Sequence, residues 1–462
     1  FALYGCSSDS ASPEDTGPDI ALSDGGRPER TTADSTTRPD TLAKPTTWAK
    51  SFGGPGVDIA HALALTDDGV LVVGQSGDPK DAWLLRLDSA GEILWQKRLG
   101  GEGHDQLRAV VQTQDKGFIV AGQTSSKSAG GDDLLIVKLD ASGALQWQKR
   151  VGGKGLDWAS EIIETSKGRY LISAETSSWG AGERDGWLLE LDDQGTILWQ
   201  STYGSTAMDA FRGVRETSAG LFAVGFSKSF GTGKADIWIA RLTTSGEQTW
   251  DRILGGDQHD YGLAVEVAPN GGIFAAGWNV DKLGEATRTW VARVKSDGEL
   301  VWQRTYGALE GDQGDALAVL SSGELALTGT TWTQGEGGKD VSLLVLDPSS
   351  GNVKTQHAFG GTAWDWGHGL VADPRGAIYI AGRSHNYGDA IDLWVLKTDA
   401  QGGISKPCAV DIFNSATATT KDSTLAAKTV TMQRSAVTQA AVDAALTISD
   451  TTHPTLTQCA AR

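Results

Sequence analysis

Seven near-copies of one phrase, four strand-like segments in each copy and no apolar period of 3.6 predict an all-β chain. The fold class they predict is a seven-bladed β-propeller of four-stranded blades, with a small disulfide-stapled C-terminal extension. The phrase is plainest at Gly100-Gly101-Glu102-Gly103-His104-Asp105, after Trp95-Gln96-Lys97-Arg98. Its first glycine recurs at Gly53, Gly100, Gly152, Gly204, Gly255, Gly307 and Gly360, in steps of 47, 52, 52, 51, 52 and 53 residues. Five residues after each stands an aspartate: Asp58, Asp105, Asp157, Asp209, Asp260, Asp312 and Asp365.

The second unit displays the elements in order. Leu107 to Val111 is a first apolar run, closed by the turn Gln114-Asp115-Lys116-Gly117. Phe118 to Gly122 is a second run, followed by a Gly/Ser loop from Ser125 to Gly131. Leu134 to Leu139 is a third, ended by Asp140-Ala141-Ser142-Gly143, and Ala144 to Lys149 is the fourth. Short runs separated by turn residues read as strands. A solenoid would need atypical end repeats as caps, and here the end repeats resemble the middle ones. A closed ring needs none. Trp48 to Phe52 matches a fourth strand without its first three, while the seventh unit lacks a fourth, so residues 48–52 are expected to complete blade seven beside residues 392–398.

Two tryptophan sets follow the period. Trp95, Trp147, Trp199, Trp250 and Trp302 fall on outermost strands; Trp83, Trp187, Trp238, Trp290 and Trp394 fall on third strands, with Leu135 and Ser342 in their place elsewhere. Regular spacing makes them packing between blades. Leu87-Asp88-Ser89-Ala90-Gly91-Glu92-Ile93-Leu94-Trp95 and Leu139 to Trp147 resemble the tryptophan-docking motif of quinoprotein-type (PQQ-like) propellers, and the repeats resemble those of bacterial surface lipoproteins. The resemblance covers roughly residues 48 to 405, speaks for fold more than function, and departs from the pattern at Thr243, Lys295 and the turn Asp347 to Gly351.

The ends read differently. Leu3-Tyr4-Gly5-Cys6 resembles a bacterial lipobox, with Cys6 the expected lipidation site and Tyr4 a departure. Residues 1–47 are a lipobox remnant and a Ser/Thr/Asp/Gly/Pro-rich tether with too little apolar surface to fold. Residues 48–405 are the propeller, and 406–462 a C-terminal extension packed on it, containing a strand-like stretch from Leu425 to Met432. Cys408 and Cys459 bracket that extension and are expected to form a disulfide. The net charge of −18 argues against nucleic acid and anionic lipid surfaces.

A second acidic set opens the third strands: Asp81, Asp133, Asp185, Asp236, Asp340 and Asp392, with Arg288 in the fifth unit. Two acidic rings on one face invite a calcium reading. A residue present in every blade serves what every blade needs, so the aspartates of the repeated phrase are expected to be structural, with no metal and no cofactor. Binding belongs where the repeats disagree. Three residues after each of those aspartates stand His61, Arg108, Ser160, Arg212, Leu263, Asp315 and His368; one residue after stand Ile59, Gln106, Trp158, Ala210, Tyr261, Gln313 and Trp366. From these, Trp158, Tyr261, Trp366, Arg108, Arg212, His61 and His368 are the candidate binding residues. No nucleophile elbow, His-Glu-x-x-His or P-loop is present, so no catalytic residue is assigned. The expectation is a non-enzymatic, lipid-anchored monomer of the bacterial envelope or surface, secreted or outer-membrane, binding a protein or glycan through its top face. The alternatives are a quinoprotein-like oxidoreductase or hydrolase using the same face, or a scaffold in outer-membrane assembly.

Overall fold

In the computed structural model, seven four-stranded antiparallel sheets stand around an axis. The described residues run from 47 to 404, except 78–79, 232–233, 270, 281–283, 285, 308–310, 333–334, 336 and 387–389; beyond 410 only short strands are described. Each blade runs outward from the axis in chain order. Blade 2, for example, is Asp105–Gln112, Phe118–Thr124, Asp133–Leu139 and Leu145–Val151. Blade 7 is closed as expected: Trp48–Phe52 pairs antiparallel with Asp392–Thr398, Trp48 opposite Lys397 and Phe52 opposite Leu393. The first strand and the last blade thus lock the ring and remove an open edge.

The core lies between blades, in one apolar cluster per interface and a second, smaller one around Phe226 between blades 4 and 5. The cluster joining blades 7 and 1 contains Trp48, Phe52, Leu63, Val72, Trp83, Tyr379 and Val395. The third-strand indoles Trp83, Trp187, Trp238, Trp290 and Trp394 are all at most 1% exposed. The outer-strand indoles dock on the following blade. Trp48, Trp147, Trp250 and Trp302 donate to the carbonyls of Ser89, Asp193, Ser296 and Pro348 at 2.9–3.2 Å. Each ring lies against the turn glycine there; a Cβ on Gly91, at φ +78°, would stand 2.8 Å from the Trp48 ring. In blade 6 Thr355 holds the indole's place and donates to the Gln401 carbonyl at 3.0 Å, while the His357 ring contacts the same carbonyl at 2.7 Å.

The tail is more extensive than the single strand expected from Leu425 to Met432. Asp411–Phe413 pairs with the outer strand of blade 6, Lys421–Asp422 with blade 5, Ala426–Lys428 with blade 4 and Gln433–Ala436 with blade 3. Val442–Asp443, Thr447–Asp450 and Thr455–Ala460 then reach blades 2, 1 and 7. The chain retraces the ring in reverse and adds a short fifth strand to every blade. Cys459 lies opposite Ala49 in the last of these pairings. Cys408 and Cys6 lie outside the described residues, and no disulfide accompanies the extension among the residues described.

Candidate functional site

Each inner strand carries one irregularity, and it falls at one place in all seven blades. Pairing between the first two strands slips between Ala60 and Ala62, Leu107 and Ala109, Ala159 and Glu161, and Phe211 and Gly213. It slips again between Gly262 and Ala264, Gly314 and Ala316, and Gly367 and Gly369. The skipped residues are His61, Arg108, Ser160, Arg212, Leu263, Asp315 and His368. A β-bulge leaves one residue unpaired and re-aims its side chain. All seven line a single cavity of about 670 Å³ on the ring axis. The position three residues past the aspartate, singled out because the repeats disagree there, is therefore the axial lining.

Below this layer the cavity is crossed by an ion triad. Arg215 bonds the Glu161 carboxylate and also reaches Glu266 at 3.3 Å. The Val214 N–H donates to Glu161 at 2.7 Å. Burial opposes charge on Arg215, but the two carboxylates outweigh it and hold its pKa above the ordinary value. Blades 3, 4 and 5 are tied together at this level, and the lining continues past it to Gln112, Glu164 and Glu216.

Above the bulges sit the residues one past each aspartate. Trp158, Tyr261 and Trp366 are half-buried rather than open faces. The Arg184 guanidinium lies 4.7 Å from the Trp158 ring centre, and that of Arg383 lies 4.0 Å from Trp366. Tyr261 is boxed by Phe226 at 4.6 Å and Trp278 at 4.4 Å. The exposed indoles are in the loops instead: Trp332 is 41% exposed and Trp364 47%. Their ring centres are 6.0 Å apart, and Trp364 meets Trp366 edge-on at 5.7 Å. Lys339 hangs 5.3 Å from Trp332. Sequence reasoning missed these two because it weighed for binding only the positions one and three past each aspartate, whereas Trp364 stands one before Asp365, as His104 does before Asp105, and Trp332 one past a second strand, as Ser125 does. It also missed the second-strand partners Glu175, Gln123 and Arg383, although register places them opposite Trp158, Gln106 and Trp366.

The mouth is electrically uneven. Glu175 is buried and shared by Arg184 at 3.2 Å and Arg212 at 2.6 Å. His61 and His368 lie with ring centres 6.0 Å apart. Burial first, then Arg108, His368 and Arg383, push the His61 pKa well below the usual imidazole range. Burial, then Arg383 and Arg108, bring that of His368 to about 3. On the adjoining blade 6, burial raises the Asp315 carboxyl to about 7 against the pull of Lys339.

The seven aspartates of the repeated phrase are all buried. Each backbone N–H donates, at 2.7–2.9 Å, to a carbonyl at the start of the third strand of the preceding blade or just before it: Ile391, Lys80, Asp132, Arg184, Ala235, Thr287 and Lys339. In six blades the carboxylate accepts an N–H of its own glycine-rich loop, as from Gly101 to Asp105 at 3.0 Å and Gly153 to Asp157 at 3.0 Å. Asp105 also accepts from Thr124 and Ser126, and Asp209 from Ser227 and Ser229. The repeated glycine fits between two carboxylates: a Cβ on Gly53 would stand 2.0 Å from Asp392 and 2.7 Å from Asp58. In the fifth blade Arg288 instead donates to the Gly307 carbonyl at 3.1 Å. Among the described residues no group of three His, Cys, Asp or Glu is placed to hold a metal ion.

Comparisons with known proteins give the following. No family model matches the chain. It is 24% identical over 337 residues to the regulatory protein FlaEY of Caulobacter vibrioides, covering 65% of this chain and 32% of that protein, so it spans about a third of that relative's length. Sqt1 from Chaetomium thermophilum aligns at TM-score 0.42 and 13% identity, over 79% of this chain and 87% of that one. Puromycin hydrolase aligns at 0.45 and 16%, over 78% and 54%. A glucose dehydrogenase aligns at 0.37 and 11%, over 76% and 98%.

Proposed function

We propose that this chain is a non-enzymatic binding ring that takes a protein or glycan through its top face. One observation carries the reading. Seven bulges aim residues of five kinds into one axial cavity, while the residues that hold the blades repeat around the ring. A site assembled from the departures among otherwise similar blades has the composition of a recognition surface, and the exposed Trp332 and Trp364 stand beside Trp366 at the entrance to an inner strand. The test is an array of glycans and envelope proteins probed with the native chain and with a Trp332→Ala/Trp364→Ala variant. Ligands captured by the first and lost by the second, with unchanged urea unfolding, support the reading. Identical capture by both overturns it.

The setting we propose is the bacterial cell envelope, with Cys6 lipidated, residues 7–47 as a tether and the ring otherwise monomeric. Metabolic labelling with a palmitate analogue, lost in Cys6→Ser, is the expected result. Pairing of Cys408 with Cys459 belongs to the same proposal, and free thiols at both positions in non-reduced mass spectrometry would refute it.

A catalytic reading has one observation in its favour. Asp315, with a carboxyl raised to about 7 in the axial cavity, could exchange a proton with a bound molecule at neutral pH. Turnover of a captured ligand, abolished by Asp315→Asn, would establish it.

A further inference from the structure

We propose that the mouth between blades 7, 1 and 2 is a subsite for a carboxylate-bearing saccharide, held between the guanidiniums of Arg108 and Arg383. This rests on the top-face binding reading above and names its ligand.

The first ground is unbalanced positive charge. Arg108 gives its hydrogen bonds to neutral amides, the Gln123 Oε1 at 3.2 Å and the Gln106 Oε1 at 3.4 Å. Arg383 lies over the Trp366 ring at 4.0 Å, with its Nε buried and unpartnered. Among the described residues neither guanidinium has a carboxylate within ion-pair distance. Between the two arginines stand His61 and His368, and the Gln106 carboxamide bonds the His61 Nε2. Two cations facing two neutral imidazoles, in a chain of net charge −18, form a local positive well. Both histidines are kept neutral by burial and these arginines, so they do not add to the repulsion. A planar guanidinium fork matches a carboxylate.

The second ground is what adjoins the well. A hollow of about 250 Å³ opens beside it, lined by Gln75, Gln106, Gln123, Lys80, His104 and two carboxylates, Asp105 and Asp132. Gln123 donates to Asp132 at 2.7 Å. Three carboxamides and two carboxylates, with the Lys80 ammonium among them, give both donors and acceptors, the pattern that vicinal hydroxyls require. An inorganic anion would not use it. An acidic peptide would leave those amides facing methylenes. A sugar acid uses both parts.

The experiment titrates the full chain with tri-galacturonate, a glucuronate-containing disaccharide, the tri-galacturonate methyl ester and tri-glutamate. Binding is followed by calorimetry and by the ¹⁵N shifts of the His61 and His368 imidazoles. At least one uronate is expected to bind and move both signals, as an anion between the arginines draws the imidazoles toward protonation. The methyl ester should bind about tenfold or more weakly, as should the uronate to Arg108→Gln or Arg383→Gln. Gln123→Ala should weaken the uronate with an unchanged urea midpoint. Equal binding of the ester, equally tight tri-glutamate, unchanged affinity in the folded arginine variants or no uronate binding would each overturn the proposal. Failure here with ligands still lost from the Trp332→Ala/Trp364→Ala variant would leave the top-face reading standing; failure in both would remove it.

Discussion

Replacing Asp157 by alanine separates a structural carboxylate from a metal ligand. Asp157 accepts the Gly153 N–H at 3.0 Å and the Ser178 hydroxyl at 2.6 Å, both on one carboxylate oxygen. Ser178 in turn accepts the Gly155 N–H at 2.9 Å, so the aspartate anchors the whole loop entering the blade. Its own backbone N–H bonds the Asp132 carbonyl, which alanine retains. The substitution therefore strands one fixed N–H and one hydroxyl that can rotate, each worth about 1–3 kcal/mol if left unsatisfied. Two effects offset the loss. Burial holds the Asp157 pKa above the carboxylate norm, so removing the group removes a desolvation cost. Asp133, itself raised by burial with Asp157 among the contributing charges, is relieved of a like-charged neighbour. The net expectation is a loss of about 1–3 kcal/mol.

Urea unfolding of native and Asp157→Ala chains, with and without millimolar calcium, measures this. Asp157→Asn keeps a side-chain acceptor and should lose less than half as much. A loss under about 0.5 kcal/mol, the range of an uninvolved surface site, would refute the hydrogen-bond argument. A large calcium-dependent stabilisation that disappears in the variant would replace it with a metal.

Four further outcomes are expected. Asp185, Asp260, Asp365 and Asp315, raised chiefly by burial to about 6, 7, 6 and 7, have folded pKa values above their unfolded ones, so their contribution is full below about pH 4 and lost as pH rises through 6 to 7, whereas that of His61 and His368, lowered by burial, grows over the same range; the urea midpoint of the native chain relative to that of Asp315→Asn should therefore fall between pH 5 and 8, and a constant difference would contradict this. Arg215→Leu should cost about 3–5 kcal/mol by leaving Glu161 and Glu266 without their cation, and adding Glu161→Gln and Glu266→Gln should restore most of it; equal stability of the single and triple variants would sink the triad argument. Trp238→Ala, at a fully buried indole stacked on Phe211 at 4.3 Å, should cost about 3–5 kcal/mol in thermal or urea unfolding, and a loss near 1 would show that the blade interface collapses around the gap. Removing residues 405–462 uncovers the outer strand of every blade, and light scattering should register association; a monodisperse monomer would mean those edges are protected without the tail.

The blades were legible because each repeats its own turn chemistry, and the closure was legible because Trp48 to Phe52 is a fourth strand with no other place to go. The axial lining was legible for a subtler reason: a position that varies while its neighbours repeat is one the fold does not need for itself. Legibility ended where the period does not say which residues meet. Trp332 and Trp364 hold repeat positions, but nothing in the sequence marks that those two places meet across neighbouring blades. Arg383 and Glu175 become site residues only through cross-strand register, which pairs them with Trp366 and Trp158. The encircling tail escaped because its strands are two to six residues long, below what alternation can mark, and take their order from the ring they follow.

The bulge explains how one scaffold can carry both kinds of residue. In an unbroken strand, alternation would commit every second side chain to the interface between blades, where Ala60, Leu107 and Phe211 already pack without exposure. Slipping the register once, just after those residues, frees a single side chain from that obligation and turns it to the axis. The substitution there costs the blade little, because no cross-strand partner is matched to it. Arginine, histidine, serine, leucine and aspartate can thus stand at equivalent places in seven similar sheets. The bonds of the buried aspartates then hold geometry constant while the axial chemistry changes from blade to blade, and this separation makes a repeat protein capable of a specific site.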